Sequence, residues 1–196
     1  MSILSDRNYT IIIDKSGSMA TRDQAGGKSR WQAVQESTLA LAAKCEELDP
    51  DGITVYTFAN RFKRYDNVTA AKVNQIFQEN EPLGGTNLTA VLQDAMNHHF
   101  QSGKPETILV ITDGDPDDRK SVFQVIIQAT QKLKDNDELG ISFIQIGDDP
   151  QATQFLKALD DQLQGVGAKF DIVDTVTFQD MEDMTLQEVL MSAIFG

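Results

Sequence analysis

Two stretches of this chain, YTIIID beginning at Tyr9 and TILVIT beginning at Thr107, are apolar almost without interruption. A strand with one wet face alternates apolar and polar residues, whereas a strand covered on both faces has no need to. Runs of this kind therefore ask for parallel strands with helices packed against both sides. Two further runs, ITVYTF at Ile53 and ISFIQI at Ile141, have strand character, and FDIVD at Phe170 predicts a sixth strand. RFKRY at Arg61 alternates, as a short edge strand paired in a hairpin with ITVYTF does.

Helical patterns fill the intervals. Trp31, Val34, Leu41, Cys45 and Leu48 recur at spacings of three, four and seven, which puts them on one buried helix face. The same holds for Leu88, Val91, Leu92, Ala95 and Met96, and for Val122, Val125, Ile126, Ala129 and Leu133. Phe155, Leu156, Leu159 and Leu163 predict a fourth helix; Leu186, Val189, Leu190 and Ile194 predict a last one. Strand and helix alternate, so the expected fold is α/β: a doubly wound, mostly parallel sheet of about six strands with helices on both faces and one antiparallel edge strand. At 196 residues, with no repeat or low-complexity linker, the expectation is a single domain over residues 1–196 with its core at about 9–195.

Acidic residues outnumber basic ones by 30 to 17, for a formal net charge of -13. That field disfavours nucleic acid and anionic membrane surfaces and favours cations and basic protein surfaces. The single cysteine, Cys45, excludes an intrachain disulfide, and no apolar run approaches the ~20 residues that span a bilayer. The opening MSILSDRNYT has no apolar signal-peptide core. The expected location is cytoplasmic.

In a doubly wound sheet, ligands bind beyond the carboxyl ends of the strands, where strand order reverses. The segments after Ile13, Phe58, Ile111 and Ile146 are thus the ones to inspect. After Ile13, Asp14, Ser16 and Ser18 fall at alternate positions around Gly17. Alternation directs their oxygens one way, and Gly17 permits a tight turn. The set is one carboxylate and two hydroxyls, hard donors suited to Mg²⁺, Mn²⁺ or Ca²⁺. The same residues also make an ordinary strand-to-loop turn. After Ile111, Asp113 again follows an apolar run, with Asp117 or Asp118 placed to cap the next helix. An EF-hand fails there, because counting from Asp113 its sixth position is Asp118 and its twelfth Gln124. In PLGGTNLT, Gly84 and Gly85 lead to Thr86 at the head of a helix, where Thr86 or Asn87 could serve as N-cap.

Taken together, Asp14-x-Ser16-x-Ser18, the GGT ending at Thr86 and the DGD starting at Asp113 resemble the metal-ion-dependent adhesion site of the von Willebrand factor type A domain family. The likeness runs from about Tyr9 to the last helix and is nearest to the small intracellular bacterial members. It implies a Rossmann-like sheet with a metal at its crest, and protein binding in which a partner's acidic side chain completes the metal shell. It also implies that Asp14, Ser16 and Ser18 contact the ion directly or through water, while Thr86 and Asp113 exchange direct and water-mediated roles. The implied cofactor is Mg²⁺, with Mn²⁺ or Ca²⁺ as alternatives.

Other features read more plainly. GGKS at Gly26 is not a phosphate-binding loop, since Arg22 stands where the first glycine is required. Lys28 and Arg30 are expected to flank the Trp31 helix in solvent. His98 and His99 are adjacent and cannot share a helix face, so they are expected to complement a helix C-terminus rather than hold a metal. Asp148-Asp149-Pro150 fits a helix start. Arg61, Lys63 and Arg64 fit a solvated hairpin. Two readings compete with metal-dependent binding. One is a Mg²⁺-dependent phosphatase of the haloacid-dehalogenase type, which needs a second acid where Ser16 stands and so lacks its general acid and base. The other is a purely structural ion.

Overall fold

The computed structural model describes residues 3–114 and 116–195, so Asp115 of the DGD run lies outside them. Among these residues a six-stranded sheet has the order β3-β2-β1-β4-β5-β6. Its strands are β1 (Asn8–Asp14), β2 (Ile53–Phe58), β3 (Phe62–Val68), β4 (Glu106–Thr112), β5 (Leu139–Gln145) and β6 (Val173–Thr177). All neighbours are parallel except β2 and β3, which form the expected antiparallel hairpin at one edge. Between and after the strands run α1 (Arg30–Leu48), α2 (Ala70–Glu79), α3 (Leu88–Ser102), α4 (Arg119–Gln131), α5 (Pro150–Asp161), α6 (Phe178–Met181) and α7 (Leu186–Phe195).

The uninterrupted isoleucines of β1 now have a physical reason. Ile12 points into a core built with α3, α4 and α5, while Ile11 and Ile13 point into a second core built with α1, α2 and α7. All three are fully buried, each contributing about 1.5–3 kcal/mol of hydrophobic stabilisation. Glycine allows one unusually close layer contact: a Cβ at Gly140 in β5 would lie 2.2 Å from the Ala193 carbonyl oxygen of α7. Helix α7 therefore rests directly on the β5 backbone.

Two expectations need correction. The sixth strand begins at Val173, not Phe170. Lys169 N–H donates to Thr130 Oγ1 (3.0 Å) and Gln131 Nε2 to the Gly167 carbonyl (2.6 Å), tying residues 167–169 to the end of α4 before the ladder starts. Helix α2 was not anticipated. It buries only Val73, Ile76 and Phe77, too few apolar residues for periodicity to stand out.

Candidate metal centre

The chain runs outward from the sheet centre in opposite directions, through β1 to β2 and β3, then through β4 to β5 and β6. The reversal lies between β1 and β4, which pair in register with Ile13 opposite Ile111. Asp14 and Asp113 leave these two strands at that point, so the topology itself delivers two carboxylates to one crest.

Asp14 is fully buried. Its Oδ1 accepts the Ser16 backbone N–H at 2.7 Å and its Oδ2 accepts the Thr112 hydroxyl at 2.7 Å. Burial pushes its carboxyl up to about 6, and the negative charge of Asp113 pushes the same way; the hydrogen bonds from Ser16 and Thr112 oppose both. Gly17–Ala20 form a single 3-10 turn pinned by buried Met19. That turn brings the hydroxyls of Ser16 and Ser18 within 3.2 Å of each other, and Ser18 Oγ donates to Asp113 Oδ1 at 3.0 Å. Four of the five expected ligands are thus close neighbours, in a chain from Asp14 through Ser16 and Ser18 to Asp113.

Thr86 belongs to a loop laced to the first one. Gly17 N–H donates to the Gly84 carbonyl (3.0 Å) and Leu83 N–H to the Lys15 carbonyl (2.8 Å). Gly84 has φ of +94°, which a side chain would strain. Asn87 is the N-cap of α3, its Oδ1 accepting the Ala90 N–H at 3.2 Å, so capping leaves the Thr86 side chain uncommitted to that role. Thr86 itself is gripped by Asp117: its N–H faces both carboxylate oxygens at 3.2 Å, and its carbonyl accepts the Asp117 N–H at 2.9 Å. Helix α4 is capped by Asp118. The two acids that the sequence left interchangeable therefore divide the tasks.

Arg30 departs from expectation. Its side chain is only 13% exposed and forks between two carboxylates, with Nη1 2.9 Å from Asp113 Oδ2 and Nη2 2.7 Å from Asp23 Oδ2. The guanidinium also lies against Gly147, where an added Cβ would sit 3.0 Å from Cζ. Hydrogen bonding from Arg30 holds the Asp23 carboxyl down at about 2. Lys28, by contrast, is exposed and pairs with Glu36, as a solvated flank does.

The remaining features keep their plain readings. GGKS leads into Ser29, which caps α1 in a reciprocal box with Gln32. Asp149 caps α5. His99 is buried near the end of α3, with Nδ1 3.4 Å from Glu106 and Nε2 3.8 Å from Glu138. Arg64, on the exposed hairpin, pairs with Asp66 of its own strand and with Asp94 of α3.

Chemically, the crest offers two carboxylates and the hydroxyls of Ser16 and Ser18, with Thr86 on the adjoining loop, all hard donors. Among the described residues, no group of three or more His, Cys, Asp or Glu side chains could hold a metal. The donor set fits a hard divalent ion that keeps water in its shell.

The family model for the von Willebrand factor type A domain matches residues 9–116, more than half of the chain. The chain belongs to the von Willebrand factor type A domain family. Such domains generally serve as protein-interaction modules. No curated protein matches. Among solved structures, this type A domain superposes on the SpRpn10 VWA domain with a TM-score of 0.63 and 14% identity, covering 94% of this chain and 93% of that one. The PilB minor pilin from Streptococcus sanguinis matches at TM-score 0.65 and 16% identity, covering 97% of this chain but 61% of PilB. The pilus adhesin SpaC from Lactobacillus rhamnosus GG matches at 0.61 and 12%, covering 95% of this chain and 29% of the adhesin. At these identities the likeness is one of fold. Among the described residues, no helix is long and apolar enough to cross a membrane.

Proposed function

We propose that this type A domain binds a protein partner in a divalent-metal-dependent manner, with Asp14, Ser16, Ser18, Thr86 and Asp113 holding Mg²⁺ and a partner carboxylate completing its shell. The observation that carries this reading is the continuous contact from Asp14 through Ser16 and Ser18 to Asp113. It gathers two buried carboxylates whose charges oppose each other, linked through the Ser16 N–H and the hydroxyls of Ser16 and Ser18. A cation offsets that repulsion. When bound, it supplies an electrophilic position that a carboxylate from outside can fill.

The chain's own groups do the rest. Thr112 and the Ser16 N–H orient Asp14, Asp117 fixes the Thr86 loop, and Met19 anchors the turn that carries both serines. The proposal is one of binding rather than catalysis, because Ser16 occupies the position where a haloacid-dehalogenase-type phosphatase needs its acid.

The test is thermal unfolding of the wild-type protein in EDTA and in millimolar MgCl₂ or MnCl₂. A ligand that binds only the folded state raises Tm by mass action. Asp14→Ala and Asp113→Ala should remain folded and lose the shift. A wild-type Tm indifferent to both ions would overturn the reading, and Mg²⁺-dependent phosphate release abolished by Asp14→Asn would replace it with the enzymatic one.

A further inference from the structure

Arg30 is the first residue of α1, at the positive end of the helix dipole, where a cation is disfavoured. It is nevertheless held inward by Asp113 and Asp23 and seated against the backbone of Gly147. Three segments distant in sequence thus converge on one guanidinium. A solvated flank needs none of this.

The two oxygens of Asp113 are divided. Oδ1 faces Ser18 and the hydroxyl pair; Oδ2 faces Arg30. We infer that Arg30 is a built-in counter-ion that competes with the divalent cation for the charge of Asp113, an inference that rests on the metal-binding reading above. The carboxylate has one negative charge to share. A guanidinium within hydrogen-bond distance of Oδ2 withdraws part of it and adds a like charge close to the cation's position. Without the cation, Arg30 is what keeps the crest acids from facing each other unneutralised. It therefore stabilises the metal-free fold and lowers metal affinity, and both effects follow from one charge. Asp23 acts on the same balance from outside: it takes up the other arm of the fork and so weakens the hold of Arg30 on Asp113.

The opposite signs of two variants separate this from a merely structural role. Mg²⁺ affinity is measured by calorimetry, and Mn²⁺ affinity by loss of the free-ion paramagnetic resonance signal, in wild type, Arg30→Met and Asp23→Asn. Arg30→Met retains the length of the stem and removes the charge. It should bind Mg²⁺ at least tenfold more tightly, about the repulsion between a single charge and a divalent ion a few ångströms apart even at the dielectric constant of water, while its metal-free Tm falls. Asp23→Asn, at a side chain 35% exposed, should fold normally and bind about threefold more weakly. If Arg30 only orients Asp113, Arg30→Met binds more weakly, and the inference is overturned; unchanged affinity in Arg30→Met, or tighter binding in Asp23→Asn, overturns it as well. Wild-type binding with the wrong signs in the variants removes this inference alone, whereas absence of binding in wild type removes the metal reading with it.

Discussion

Asp14 and Thr112 stand side by side across the β1–β4 ladder, and the Thr112 hydroxyl donates to Asp14 Oδ2 at 2.7 Å. This bond satisfies a carboxylate oxygen sealed from water. Thr112→Val keeps the branched shape that suits a strand and removes only the donor. The orphaned oxygen should cost about 1–3 kcal/mol in urea unfolding. It should also raise the Asp14 carboxyl further, and Mg²⁺ should bind correspondingly less well at neutral pH.

The elevated carboxyl of Asp14 gives the metal-free protein a definite pH response. Its folded value is about 6 against an ordinary 3.8, so the folded state holds the proton more tightly than the unfolded chain does. The stability this contributes is complete below the unfolded value and lost as pH rises through about 6. A shift of this size corresponds to roughly 3 kcal/mol. In EDTA, the Tm contribution of this group should therefore decline from about pH 4 to about pH 6, and Asp14→Asn should abolish that part of the slope. With saturating Mg²⁺ the trend should reverse, because the ion requires the ionised form and protons compete with it below about pH 6. Parallel pH slopes for wild type and Asp14→Asn would refute the assignment.

Asp117 grips Thr86 from the opposite loop without contacting the other expected ligands in the hydrogen bonds described. It is exposed, so Asp117→Ala should change global stability by only about 1 kcal/mol. Freeing the Thr86 backbone should nonetheless weaken Mg²⁺ binding several-fold. Calorimetric affinity together with a denaturation midpoint separates the two effects; a loss of stability with unchanged affinity would mean that Thr86 is not a ligand.

The contact between Gly140 and Ala193 leaves no room for a methyl group. Gly140→Ala must lift α7 from β5 and should cost about 3 kcal/mol. Gly165, where an added Cβ meets nothing within 4 Å, is the control: Gly165→Ala should lie within about 0.5 kcal/mol of wild type. Thermal denaturation of the pair tests whether close approach, rather than loss of glycine as such, is what matters.

What could be read from the chain alone follows from the range of the forces involved. The sheet and five helices were legible because apolar periodicity is a local signal repeated many times. Asp14, Ser16, Ser18 and Asp113 at strand ends, and Thr86 at the head of a helix, stood out because residue type and spacing are local too. The site's supports were not. Arg30 meets Asp113 across 83 residues of sequence, and nothing near Arg30 distinguishes it from a solvated helix flank. Asp117 and Asp118 are chemically alike, and only the loop geometry assigns one to Thr86 and the other to α4. Thr112 was open to discovery, since pairing Ile13 with Ile111 places it opposite Asp14. The late start of β6 was not, because it depends on a hydrogen bond between Lys169 and Thr130.

The flush pairing of β1 with β4 also determines where this protein can tolerate insertions and deletions. Side chains alternate along a strand, so one residue added within either ladder would turn its terminal aspartate to the other face and dismantle the crest. The same change in the exposed stretch around Gly26 and Gly27, where an added Cβ would meet nothing, disturbs neither ladder. Lineages of this domain should accordingly differ in length between the 3-10 turn and α1, and keep the spacing from Asn8 to Asp14 and from Glu106 to Asp113 unchanged.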